Sequence, residues 1–187
     1  MSAQLTRVLE AIDAANAQDP NLEDGQPAAL LYGQRMSQEQ ERLFPDASEV
    51  LQIAARGQHV ERWKLARDAF PEGRAGYLAW RKAEAVHHAD VVTSLMQDAG
   101  YGAEDTEAAA RMLRKEGIKR DDQVQALEDI ICFVFLKWYF GPFAAKHPAD
   151  KVQRIVEKTA RKMSADARAR VLREFDLPGD LAGAFAA

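Results

Sequence analysis

The chain reads as all-α, a single-domain helical bundle over residues 1–187, and three observations lead there. Apolar residues recur at helical spacing along almost its whole length. No run alternates apolar and polar residues as a half-buried strand does. Capping residues, glycines and prolines punctuate the periodic stretches where helices should begin and end.

The elements follow in order. Leu5, Val8, Leu9 and Ile12 mark a first helix, closed by Asp19-Pro20-Asn21. Leu30, Leu31 and Met36 open a second, ending near Phe44-Pro45. Ser48 is the N-cap of a third, whose apolar residues include Val50, Leu51, Ile53 and Ala54 and which is expected to carry His59. Pro71, Gly73 and Gly76 make residues 67–76 a loop. A fourth helix runs from about Tyr77 to Gln97 and stops at Gly100. A fifth covers Ala103 to Lys115. A sixth begins after Asp121-Asp122 and reaches about Tyr139, where Gly141-Pro142 breaks it. Two more, near Asp150 to Met163 and after a Ser164 cap near Ala165 to Phe175, form a C-terminal helical hairpin over about 149–176 behind a core of about 1–140.

Composition narrows the function classes. The 47% hydrophobic and 29% charged fractions are those of an ordinary globular protein. A net charge of −4 argues against general nucleic-acid binding, which needs basic surface to displace counterions. The single cysteine, Cys132, excludes an internal disulfide and a multi-cysteine zinc site. Residues 1–19 are amphipathic and contain acids, without the apolar run of a signal peptide, and the longest apolar stretch is too short to span a bilayer. A cytoplasmic protein without membrane attachment is the expectation.

The sixth helix carries the most informative residues. Apart from Glu128 and Asp129, the stretch from Leu127 to Leu136 is apolar on every face, so those acids are expected inside the fold. A buried carboxylate needs a cation, a metal or several donors. Upstream, His59 and His88 both read as core-facing, and imidazole with carboxylate is the ligand pair of zinc, iron or manganese. His59, His88 and Asp129 are the candidate ligands of one divalent ion, with Glu128 and Asp129 as candidate catalytic acids. The structural alternatives are histidines bonded to carbonyls and acids in ordinary ion pairs. Arg62, Arg74, Arg81 and Lys115 could hold a small anion, since the arginine fork suits phosphate and carboxylate, with Tyr77 and Trp80 walling a pocket. Phosphate-binding glycine loops and nucleophile elbows are absent.

Three strings carry a family resemblance: Gln58-His59-Val60-Glu61-Arg62-Trp63, the run from Gly73 to Arg81, and Gln125-Ala126-Leu127-Glu128-Asp129. With matching segments from Ile12 to Ser164, they resemble the domain-of-unknown-function family numbered 4202. The order of helices also looks like the HD-domain superfamily of metal-dependent phosphohydrolases. In that resemblance Gln58 stands where the family has histidine and His59 where it has aspartate. Tyr32 falls near the first histidine, His88 at a later one, Lys115 where another often sits, and Asp129 at the final aspartate. What it implies is an internal site in which a metal activates water against a phosphorylated small molecule, while Arg62, Arg81 or Lys115 binds the anion. The other reading is a non-enzymatic member of the same fold that senses a ligand or docks a protein.

Overall fold

Ser2 begins the first helix by accepting the N–H of Leu5 on its Oγ at 3.0 Å. The computed structural model describes residues 2–186, and their architecture is all-α, ten α-helices with one minimal β-ladder. The chain divides into two compact units, Met1–Glu116 and Gly117–Ala187. The boundary falls ahead of the acid-bearing helix.

In the first unit, α1 (Ala3–Asn16) buries Leu5, Val8, Ile12 and Asn16, a stripe at three- and four-residue steps. Strands β1 (Leu22–Glu23) and β2 (Gln26–Pro27) pair antiparallel around Asp24 and Gly25, both in the left-handed region that such a tight turn requires. Asp19 pins this turn by accepting the N–H groups of Asn21 and Ala29, each at 2.9 Å. Helix α2 (Ala28–Leu43) follows, with Arg35 reaching back to Glu23 and Asp24.

Helix α3 (Glu49–Arg56) is capped by Ser48 as the sequence indicates, but it ends before His59. Gly57 terminates it, and the next residues run as turns. The tight packing explains why glycine stands there: a Cβ on Gly57 would lie 2.4 Å from Val92 Cγ2. Helix α4 (Gly73–Asp98) is longer than expected, starting inside the stretch read as a loop. Gly73 sits at φ +81 and Gly76 lies against the Pro71 carbonyl, where a Cβ would come within 1.7 Å of the oxygen. These glycines turn the chain into the helix instead of breaking it. Helix α5 (Ala103–Leu113) completes the unit and packs against α3 and α4.

In the second unit, Asp121 caps α6 (Asp122–Val134), its Oδ1 accepting from Gln123 and Val124. A π turn at Phe135–Tyr139 leads directly into α7 (Phe140–Lys146). Gly141-Pro142 does not break the helix here. Pro142 falls in the first turn after the π segment, where a missing N–H is tolerated. Helices α8 (Ala149–Lys162) and α9 (Ala165–Glu174) form the expected pair, joined through Met163 and Ser164. A helix absent from the sequence reading, α10 (Gly179–Ala186), packs on both through Leu181 and Phe185. No helix among the described residues is long and apolar enough to cross a membrane.

Candidate functional site

The first unit encloses a cavity of about 290 Å³ built from three segments. The turn after α3 supplies Gln58, His59 and Arg62; α4 supplies Arg81, Glu84 and His88; the end of α5 supplies Lys115. Two features hold the turn in place. Glu61 adopts a left-handed conformation, φ 54, and its N–H bonds Asn16 Oδ1 at 3.1 Å. Val60, fully buried, offers its carbonyl to His88 Nδ1 at 2.8 Å.

That bond fixes the chemistry of His88. A carbonyl only accepts, so Nδ1 carries a hydrogen and Nε2 of the neutral ring is a bare lone pair. Nε2 lies 3.1 Å from Glu84 Oε2, a contact between two acceptors unless the pair holds a proton. Glu84 is also 3.8 Å from Arg62 Nε. Neither Glu84 oxygen, nor His88 Nε2, nor Gln58 Oε1 has a hydrogen-bond partner, although Glu84, His88 and Gln58 are 3%, 3% and 4% exposed.

His59 is uncharged. Its ring stacks on Tyr32 at 3.9 Å, and its Nε2 accepts from Arg62 Nη1 at 2.8 Å, so the ring is neutral there. Burial holds its pKa well below the usual histidine value, and the charges of Arg62, His88, Arg81 and Lys115 push it the same way. Burial also lowers the pKa of Arg62, with Arg81 acting in the same direction and Glu84 against it. Arg62 lies over the Trp80 ring at 4.9 Å, and Trp80 is held by its Nε1 donating to Leu65 O at 2.9 Å. Arg81 forms no hydrogen bond or ion pair among the described residues.

The structure thus brings together His59, Arg62, Arg81, His88 and Lys115. Arg74 is exposed on the first turn of α4 and does not line the cavity. Tyr77 is 46% exposed and packs its ring against Trp80; Trp80 backs Arg62 and does not wall the cavity itself.

Glu128 and Asp129 belong to the second unit and are buried there. Asp129 Oδ1 accepts the backbone N–H of Ser164 at 2.8 Å and Gln125 Nε2 at 3.0 Å. Glu128 pairs with Lys162 at 3.3 Å. Burial raises the pKa of Asp129, opposed by its bonds to Ser164 and Gln125 and by Lys119. The expected metal set of His59, His88 and Asp129 is therefore divided between the units. No group of three or more His, Cys, Asp or Glu among the described residues is placed to hold a metal ion.

Glu84 is a lining residue that the sequence analysis does not single out. Its spacing of four from His88 on one helix was the available signal, because such pairs share a face.

An all-α chain with an internal, cation-rich cavity is the class this geometry defines. The chain belongs to the domain-of-unknown-function family DUF4202, whose family model matches residues 6–183, in agreement with the resemblance read from its strings. Comparison with curated proteins and with solved structures gives no match.

Proposed function

We propose that the first unit binds a small anionic ligand in this cavity, as a ligand-binding module and not as a metal-dependent hydrolase. The carrying observation is the gathering of Arg62, Arg81 and Lys115 around a neutral His59, with Arg81 in no ion pair among the described residues. An arginine fork without a carboxylate partner, turned to a concave site, is matched to phosphate or carboxylate oxygens.

The phosphohydrolase reading implied by the HD-domain resemblance would need a divalent ion, and the donors present do not fit one. His59 Nε2 is occupied by Arg62, which leaves His88 Nε2 and Glu84 as two donors, short of the three that a protein site ordinarily gives a metal ion. Gln58 offers an amide where the superfamily has imidazole. The cations that suit an anion repel a metal at the same place.

The test is a thermal-shift and calorimetric series with inorganic phosphate, pyrophosphate and succinate against potassium chloride at matched ionic strength. Phosphate or pyrophosphate at millimolar concentration raises the melting temperature, and Arg81→Ala abolishes the rise. If none of the anions stabilises the protein, the reading falls and a protein partner takes its place.

A further inference from the structure

The cavity has a second chemical side that an anion alone does not use. Glu84 is 3% exposed, and neither of its carboxylate oxygens has a hydrogen-bond partner; Gln58 is 4% exposed, and its Oε1 is in the same condition. Both line the cavity that Arg62, Arg81 and Lys115 line. A buried acceptor without a donor is costly and is rare in folded proteins. Both residues border the cavity, so a ligand seated in it is the available source of the missing donors. A fully ionised phosphoryl group would leave them as they are, since its oxygens then only accept.

We infer that the ligand is a hydroxylated phosphate ester, a sugar or polyol phosphate. Its phosphoryl group meets Arg81 with Arg62 and Lys115, and its hydroxyls donate to Glu84 and Gln58. This rests on the anion reading above and narrows it. Ammonium groups are also donors, but the three cations that surround the site disfavour bringing in another positive charge. Hydroxyls are neutral donors and meet no such penalty. The volume, about 290 Å³, is at the small end of ligand pockets and suits a compact molecule.

The experiment compares four probes by calorimetry on the full chain: inorganic phosphate, ethyl phosphate, phosphoethanolamine, and a hydroxylated set of glycerol 3-phosphate, ribose 5-phosphate and glucose 6-phosphate. At least one hydroxylated ester binds about 10- to 100-fold more tightly than ethyl phosphate, the range for hydrogen bonds to a charged group. Glu84→Gln and, independently, Gln58→Leu reduce that preference, read in each variant as the ratio of hydroxylated-ester affinity to ethyl phosphate affinity. The second variant changes no charge and guards against a folding defect in the first, and circular dichroism checks both. If inorganic phosphate binds but no hydroxylated ester exceeds ethyl phosphate, the hydroxyl assignment is overturned while the anion site stands. Tighter binding of phosphoethanolamine than of every hydroxylated ester also overturns it. If no probe binds, both readings fall together.

Discussion

Asp129 offers the sharpest separation of an acid that holds the fold from one that reacts. Its Oδ1 accepts the backbone N–H of Ser164 at 2.8 Å, and Ser164 in turn caps α9 with its Oγ on Ala167 N at 3.1 Å. The carboxylate is therefore the anchor of the turn between α8 and α9. Asp129→Ala strands that N–H; Gln125 Nε2 loses one acceptor but keeps Lys162 O at 2.9 Å. The stranded group costs about 1–3 kcal/mol. For a chain of this length each kcal/mol moves the melting temperature by about 2–4 °C, so a fall of about 3–10 °C is expected. Asp129→Asn keeps an oxygen for Ser164 and removes a charge that burial disfavours, so its melting temperature at neutral pH equals or exceeds that of the parent. The pH dependence has a definite sign. Because burial raises the pKa of Asp129, its contribution to stability is fully present below the ordinary carboxylate value. That contribution is lost as pH rises through the elevated folded value. The advantage of Asn over Asp must then grow from acid toward neutral pH. Differential scanning fluorimetry of the three proteins across that window decides it. An Asp129→Ala variant melting within about 1 °C of the parent, or an Asn variant falling as far as the Ala variant, refutes the turn-anchor role.

Three further outcomes follow from the first unit. Arg81→Ala leaves the melting temperature within about 1 °C of the parent without ligand, since the side chain has no partner to lose, a surface-like change. His59, held neutral by burial and surrounding cations, shows no imidazole titration by NMR near the usual histidine value. Since the unfolded chain takes up that proton and the folded one does not, stability present above about pH 6.5 is lost as pH falls below it, and His59→Gln reduces the loss. Gly57→Ala drives a Cβ to 2.4 Å from Val92 Cγ2 and costs about 1–3 kcal/mol in chemical denaturation, while adding Val92→Ala recovers part of it.

The helices were legible because their apolar stripes and caps are local signals. Ser48 and Ser164 both cap as their positions indicate, each accepting an N–H three residues on. What was not legible depended on contacts. Gly73 and Gly76 resemble loop residues in sequence, yet one supplies a left-handed turn and the other a close approach to the Pro71 carbonyl that starts α4. Gly141-Pro142 resembles a stop, yet the preceding π turn places Pro142 where it does no harm. Helix α10 is short and holds two glycines, so its propensity is low, and only burial of Leu181 and Phe185 recommends it.

The site shows the same division. Conspicuous residues, two acids in an apolar helix, led to Asp129, whose burial is satisfied locally by the Ser164 turn, and to Glu128, which is ion-paired with Lys162. Burial alone does not make an acid functional; burial without a hydrogen-bond partner is the stronger signal. By that criterion Glu84 stands out, since both its oxygens lack one beside a ring whose other nitrogen is committed to Val60. Sequence can place Glu84 and His88 on one helical face, but it cannot show that the donors a carboxylate needs are missing. Only the arrangement of the turn at Gln58–Arg62 against α4 shows those acceptors in one cavity with Arg62, Arg81 and Lys115.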